Sequence, residues 1–320
     1  MSHYSPLISA FVTLLLTLIL TLNKQGLLQD IPNDRSLHTE PIPRTGGIAL
    51  MAGILSGWML MIKFWTWWIV IPALGLFVLS LVDDMRSLSP RTRLIVHFAA
   101  AMIVLVGAGI DLFWFVPVLL YIVWMTNLYN FMDGSDGLAG GMALFGFSFY
   151  GIAGLVNNDT NFAMMNFSVG AASLGFLYHN FHPAKIFLGD SGSIPLGFLS
   201  ASFGVWGWHM GYWPFWFPIL VFSPFVADAT FTLFKRILRK ERLSQAHRRH
   251  YYQRLVQMGW GHRNTALVEY FLMLLSGASA LWGINLDVQE QANLLAWWGA
   301  IYLGLTMWVD RSWNRYQDAK

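Results

Sequence analysis

Apolar runs of 15 to 20 residues, free or nearly free of charge, recur along almost the whole chain, each closed by a short polar stretch. A hydrocarbon core about 30 Å thick takes roughly 17–25 apolar residues per helix, and fewer where a helix is short and its ends are covered by protein. On that measure the pattern predicts eleven spans, near residues 6–22, 47–62, 67–82, 93–109, 112–126, 138–156, 162–179, 193–209, 213–232, 264–283 and 292–309. The predicted class is therefore all-α, a polytopic integral membrane protein organised as one domain over residues 1–320. Neither a repeat of 20–50 residues nor a low-complexity segment interrupts it.

Composition strengthens this reading. The 320 residues are 56% hydrophobic and only 12% charged, whereas a soluble domain carries about 25% charge. A water-facing exterior cannot be built from so few charges, so lipid is the expected exterior. Trp65, Trp67, Trp68, Trp208, Trp213, Trp297 and Trp308 fall near predicted span ends, as interfacial aromatic belts do.

Charge then orients the chain, because short cytoplasmic loops retain Lys and Arg. With the N-terminus outside (periplasmic) and the C-terminus cytoplasmic, Lys24, Arg35, Arg44, Arg86, Arg91, Arg93, Lys185, the basic loop 233–263 and the terminal Arg311, Arg315 and Lys320 all fall inside. Only Lys63 falls outside. The first span has no Lys or Arg before it and no A-x-A pattern after it, so it reads as a retained helix rather than a signal peptide. The net charge of +3 is explained by this topology, which points to anionic lipids and substrates and away from nucleic acid. With no cysteine, a disulfide framework, a thiolate metal site and a cysteine nucleophile are all excluded.

On the same topology, polar residues gather at the cytoplasmic helix ends: Asp83 and Asp84; Asn127, Asn130, Asp133 and Asp136; Asn180, His182 and Asp190; His247 and His250. Adjacent carboxylates such as Asp83 and Asp84 repel one another and need a cation nearby. Mg²⁺ suits them, since it takes one or two carboxylates and completes its shell with waters and substrate phosphates. The glycines of NFMDGSDGLAGG (130–141) and FLGDSGS (187–193) permit tight turns ahead of apolar spans, where helix N-termini favour anions. Within the basic loop, His247 and His250 share a face if the segment is helical, and Arg248, Arg249 or Arg254 would give bidentate contacts to a diphosphate. A basic anchor on anionic lipid is the plainer alternative for that loop.

These residues carry a family resemblance. LVDDMRSLSPRTRL (81–94), NLYNFMDGSDGLAGG (127–141), HNFHPAKIFLGDSGS (179–193) and HRRHYYQRL (247–255), preceded by HTEPIPRTGG (38–47), resemble in order the motifs of the MraY/WecA-like polyprenyl-phosphate N-acetylhexosamine-1-phosphate transferases. The resemblance implies an undecaprenyl phosphate acceptor, a UDP-N-acetyl sugar donor, dependence on Mg²⁺ (or Mn²⁺), release of UMP, and an active site on the cytoplasmic side of a bacterial inner membrane. It leaves a homodimer open.

Carried over residue by residue, the resemblance makes Asp190 a metal ligand with Asp83, and Asp83, Asp84, His247 and His250 the catalytic set. Asn127, Asn130, Asp133, Asp136, Asn180, Phe187, Lys185, Arg248, Arg254 and Arg44 then line the donor site, with Phe187 stacking on uracil. One of the paired aspartates would assist deprotonation of the lipid phosphate, and a covalent aspartyl-phosphate route stays open beside direct transfer. The His247-Arg-Arg-His250 spacing departs from the usual H-x-H-H and looks like the branch that begins Gram-negative surface polysaccharide (O-antigen) synthesis. The pair Asp83-Asp84 also lacks the nearby lysine of phospho-MurNAc-pentapeptide transferases, leaving Arg86 or Arg91 nearest in role. A secondary transporter is the main rival class, but its acids would sit at the bilayer midplane, where only Asp228 and Glu269 lie.

Overall fold

The computed structural model describes residues 2–22, 28–32, 41–241 and 247–319. Lys24, Arg35 and Arg242, which contribute to the orientation argument, lie outside the described residues, as do His38, Thr39 and Glu40 of the earliest motif.

Thirteen helices are found among the described residues: α1 (Ser5–Leu22), α2 (Gly46–Met59), α3 (Trp67–Arg86), α4 (Pro90–Ala108), α5 (Leu112–Phe131), α6 (Leu138–Val156), α7 (Thr160–Asn180), α8 (Asp190–His209), α9 (Trp216–Val221), α10 (Ser223–Leu238), α11 (Tyr251–Leu255), α12 (Gly261–Gly283) and α13 (Val288–Asp318). Every stretch predicted as a span contains helix, and the all-α class is observed, apart from a two-residue antiparallel pair of β1 (Gln29–Asp30) with β2 (Ile42–Pro43). Among the described residues, seven helical segments are both long and apolar enough to cross a membrane.

Two of the others have clear physical reasons for falling short. α8 is buried along nearly its whole length against α2, α3, α5 and α6. It is therefore built from small residues such as Gly197, Ser200 and Ser202 that admit close neighbours rather than from lipid-facing leucines. The predicted span 213–232 is broken: α9 ends at Val221, and α10 restarts with Pro224 in its first turn, where a proline ring would clash in a continuous helix. The segment predicted as 264–283 starts earlier, with α11 and a π-helical turn at Val256–Trp260 leading into α12; Gly259 (φ 97°) and Gly261 (φ 69°) take the left-handed backbone this junction needs. α13, at 31 residues, is about 46 Å long, so its C-terminal turns reach beyond a hydrocarbon core.

α1 shows what surrounds the bundle. It buries Ser5, Ser9, Thr13 and Thr17, at a spacing of four, and exposes Leu7, Phe11, Leu15, Leu18 and Leu22. The hydroxyl stripe packs on Gly53 and Gly57 of α2, where an added Cβ would run into Thr13 and Ser9. It also meets α7, where Ser168 Oγ donates to Ser5 Oγ at 3.1 Å and Thr17 Oγ1 lies 3.0 Å from His179 Nδ1. A helix with its hydroxyls inside and its leucines outside is stable when the outside is lipid.

Candidate active site

The C-terminal ends of α3, α5 and α7 and the N-terminal ends of α4, α6 and α8 converge at one end of the bundle, and the C-terminal half of α10 lines the groove beside them. Backbone stitching fixes the first piece. Phe187 N–H donates to Pro43 O at 2.8 Å, while Gly46 and Gly47 N–H donate to Phe187 O at 2.9 Å and Leu188 O at 2.8 Å. A Cβ at Gly47 would collide with the backbone of Ser191 and Gly192, so this approach needs glycine. The result is that Arg44, just before the two glycines, is delivered to the carboxylates.

Three carboxylates and two guanidinium groups form the centre. Arg44 Nη2 donates to Asp84 Oδ1 at 2.9 Å and reaches Asp190 Oδ1 at 3.5 Å. Arg93 Nη1 donates to Asp83 Oδ2 at 3.1 Å and reaches Asp190 Oδ2 at 3.5 Å. Asp190, the first residue of α8, also accepts from Asn130 Nδ2 at 2.9 Å, and Asp84 accepts from the backbone N–H of Ser191 at 3.2 Å. Burial works against the Arg44 charge, but Asp84 and Asp190 outweigh it and hold its pKa above the ordinary value. Burial, with repulsion from Asp190, pushes the Asp133 carboxyl up to about 7.

The donor set fits a hard divalent cation. Three carboxylates, Asp83, Asp84 and Asp190, are held by two guanidinium groups standing where positive charge is required, and burial first, then Asp190, raises the Asp133 carboxyl. Among the described residues no group of three or more acidic or histidine side chains is arranged to hold a metal ion by itself. Mg²⁺ asks for no such group, since it is usually held by one or two carboxylates with phosphate oxygens and waters.

The remaining predicted residues divide by what they touch. Asn127 and Asn130 line a groove of about 450 Å³ with Arg93, His97, His247 and His250. Asp136 is engaged locally, accepting from Ala184 N–H at 3.2 Å and lying 2.7 Å from His182 Nδ1. The Asn180 amide is used at both ends: Oδ1 accepts from Gly137 N–H at 3.0 Å and Nδ2 donates to Ile186 O at 2.8 Å. Asp136 and Asn180 thus tie the two glycine-containing loops together. Phe187 is half-buried and Lys185 exposed on this loop.

The histidine segment presents two sides. His250 caps α11 and points Nδ1 at Asp228 Oδ1, 3.0 Å away, while Asp228 also accepts from Tyr251 and Tyr252 N–H at 3.0 and 2.8 Å. Burial, together with the neighbouring His250, lowers the His247 pKa to about 4, so this imidazole is neutral near pH 7. Arg254 faces away from the groove: its Nη1 donates to Asp310 on α13 at 2.8 Å. Arg248 is half-buried beside His247.

Two residues of the site escaped the sequence reading. Arg93, rather than the exposed Arg86 or Arg91, supplies the cation beside Asp83. Ser89 caps α4 and turns the chain back, so that a residue ten positions on returns to the carboxylate. Asp228, which sequence placed at membrane depth, is the acceptor on which the histidine turn hangs; an isolated acid in an apolar span was the available signal.

A helical bundle with a lipid-matched exterior and a carboxylate–guanidinium cluster opening on a groove at one end is a multi-pass membrane protein built to handle phosphate groups. The profile of Glycosyl transferase family 4 matches residues 65–207, which contain Asp83, Asp84, Arg93, Asn130 and Asp190. The chain is 33% identical over 274 residues, 79% of its length and 76% of the relative's, to a Bacillus subtilis protein named "Probable undecaprenyl-phosphate N-acetylglucosaminyl 1-phosphate transferase". It is 28% identical to the decaprenyl-phosphate N-acetylglucosaminephosphotransferase of Mycolicibacterium smegmatis, over 82% of this chain and 77% of that one. Identity with the phospho-N-acetylmuramoyl-pentapeptide-transferase of Moorella thermoacetica is 43%, but over 27% of this chain and 28% of that protein. This chain belongs to glycosyl transferase family 4, the group of MraY/WecA-like enzymes.

Proposed function

We propose that the protein transfers an N-acetylhexosamine-1-phosphate from a UDP-sugar to undecaprenyl phosphate at the cytoplasmic face of the bacterial inner membrane, leaving undecaprenyl-diphosphate-sugar and UMP. The observation that carries this is the Asp83–Asp84–Asp190 cluster bridged by Arg44 and Arg93, beside a groove that Arg93 and Asn130 line together with His247 and His250. The names of the Bacillus subtilis and Mycolicibacterium smegmatis relatives support N-acetylglucosamine as the sugar. The place assigned is the first membrane step of a cell-surface polysaccharide, with O-antigen as the reading its histidine motif favours. The pentapeptide-transferase reading ranks second because that match covers a quarter of the chain.

In this reading an oxygen of the lipid phosphate attacks the donor's β-phosphorus, a P–O bond forms, and the bond from that phosphorus to the oxygen of the UMP leaving group breaks. Asp190, with Asp83 beside it, would hold Mg²⁺, which when bound draws charge off the phosphate oxygens. The chain's own contribution is electrostatic and positional, since such transition states spread negative charge over oxygens and ask little of a nucleophile. Arg44 and Arg93, each already sharing a proton-donor edge with two carboxylates, are placed to move onto phosphate oxygens as these arrive. Asp83 and Asp84 are the acceptors nearest for an acidic proton of the acceptor phosphate. His250, with Nδ1 held by Asp228, lines the groove, where its ring would be positioned against the diphosphate.

The direct test is incubation of purified protein with undecaprenyl phosphate and a panel of UDP-sugars, following UMP and the lipid product. Mg²⁺-dependent UMP release with UDP-N-acetylglucosamine is the expected result. Product from UDP-MurNAc-pentapeptide alone would transfer the assignment to the second reading, and no UMP with any donor would refute the reading.

A further inference from the structure

Beyond the groove already described, two adjoining hollows run along one face of α13. The face is continuous: Tyr302, Thr306, Val309, Asp310, Trp313 and Gln317 follow one another at helical spacing. The upper hollow, about 300 Å³, is almost wholly apolar and lies between α10, α11, α12 and α13, bounded by Leu255, Trp260, Leu305 and Val309. One turn further along, the second hollow, about 550 Å³, is walled by Lys235, Arg239, Arg249 and Arg254 across from Asp310 and Trp313.

The charges there do not balance. Lys235 and Arg254 share the single carboxylate Asp310, and Arg249 is paired outside the hollow with Glu241 at 2.6 Å. Arg239 forms no ion pair among the described residues. The Arg254 side chain is 7% exposed, and its Nε, deeply buried, has no hydrogen-bond partner among the described residues. A buried N–H left without an acceptor on a charged group is costly, so a site that keeps one is short of an acceptor. Arg254 is further held between the Tyr251 and Trp313 rings, 5.1 and 5.9 Å from their centroids. Its position is thus set by packing rather than by a free search for a partner.

We propose that this double hollow binds one anionic phospholipid, the phosphate lying among Arg239, Arg249 and Arg254 and an acyl chain filling the apolar half. Charge complementarity selects a phosphate, and the apolar hollow one turn away along α13 selects a phosphate that carries a chain. Basic pockets between membrane helices recognise anionic headgroups in this way. The site is separate from the Asp190 centre and does not depend on which sugar the enzyme transfers. It does share α11 with the histidine segment: Arg254 faces the lipid hollow while His250, one turn earlier, faces the catalytic groove. A bound headgroup therefore clamps α11 between α10 and α13, and holds His250 in place from behind.

Native mass spectrometry of the full-length, detergent-solubilised protein tests this with phosphatidylglycerol and phosphatidylcholine as probes. One phosphatidylglycerol should be retained at least tenfold more tightly than phosphatidylcholine. Asn314→Asp, which sets a carboxylate in the headgroup hollow from the α13 side, should abolish that preference, and Arg239→Gln should weaken it. Leu305→Trp, at a partly exposed position that narrows the apolar half, should loosen the lipid while leaving the thermal transition of the protein in place. Equal retention of the two lipids would overturn the proposal, as would undiminished phosphatidylglycerol binding by Asn314→Asp. Displacement of the lipid by millimolar inorganic phosphate would also overturn it, by showing a soluble-anion site, as would displacement by polyprenyl phosphate alone, by showing a site for the acceptor rather than for a phospholipid.

Discussion

Asp228 offers the sharpest test of how the histidine turn is held. Its buried carboxylate accepts from His250 Nδ1 at 3.0 Å, from Tyr251 and Tyr252 N–H at 3.0 and 2.8 Å, and from Thr232 Oγ1 at 3.2 Å. Asp228→Asn keeps the shape and removes the charge. Hydrogen bonds to a charged group contribute about 1.5–3 kcal/mol each and neutral ones about 0.5–1.5. Asn offers one acceptor oxygen in place of two, so the bonds from His250 and Tyr251 become neutral while Tyr252 N–H loses its acceptor, together a loss of about 3 kcal/mol or more. Most of that is local, because the three donors all belong to the turn at 250–252.

If His250 must be held in the groove to act on the transferring phosphate, a loss of about 3 kcal/mol lowers kcat by roughly a hundredfold, at 1.4 kcal/mol per factor of ten. KM for the donor should rise less than kcat falls, since the interaction matters more in the transition state than in the ground state. His250→Ala should show the same pattern. The double variant should be little worse than either single one, because both remove one shared element. The assay is UMP release by purified enzyme over a range of donor concentrations. An Asp228→Asn enzyme within threefold of the unaltered kcat would refute the argument, and so would full additivity of the two substitutions.

Asp190→Asn should leave the protein inserted and folded while lowering turnover at least a thousandfold, and near-normal Mg²⁺-dependent activity would remove Asp190 from the cation site. Asp133, with its carboxyl pushed up to about 7, makes cation affinity depend on pH: between pH 8 and pH 6 a proton increasingly competes, so half-saturating Mg²⁺ should rise about tenfold. Asp133→Asn should flatten that dependence. Because the folded pKa lies above the unfolded one, the favourable term is present below the ordinary carboxylate range and is lost as pH rises through about 7; without Mg²⁺ the Tm should therefore fall from pH 6 to pH 8, and Mg²⁺ should restore it. A reporter fused near Asn158 should lie outside the membrane and one fused after Arg242 in the cytoplasm; an external residue 242 would reverse the face assigned to the active site.

Much of this protein was legible in one dimension, because lipid imposes a one-dimensional rule. A spanning segment must satisfy its own backbone and present apolar side chains over a fixed thickness, so the positions of the helices follow from where apolar runs begin and end. The motifs around Asp83, Asp133 and Asp190 were legible for a related reason: charged and glycine-rich stretches are costly within lipid, so they mark where the chain leaves it and gathers polar groups. Contacts between distant positions were not legible. Nothing in the order of residues says that α8 lies inside the bundle and α1 at its edge, since both read as apolar runs. Only packing against glycines decides it. Nor did spacing reveal that Arg93 returns to Asp83 around a capped turn, that Asp228 carries the histidine segment instead of lying idle in a span, or that Arg254 turns its back on the groove to meet Asp310. Those outcomes depend on which helix ends share a neighbourhood, and a charge finds its partner by distance in space, which local sequence does not encode.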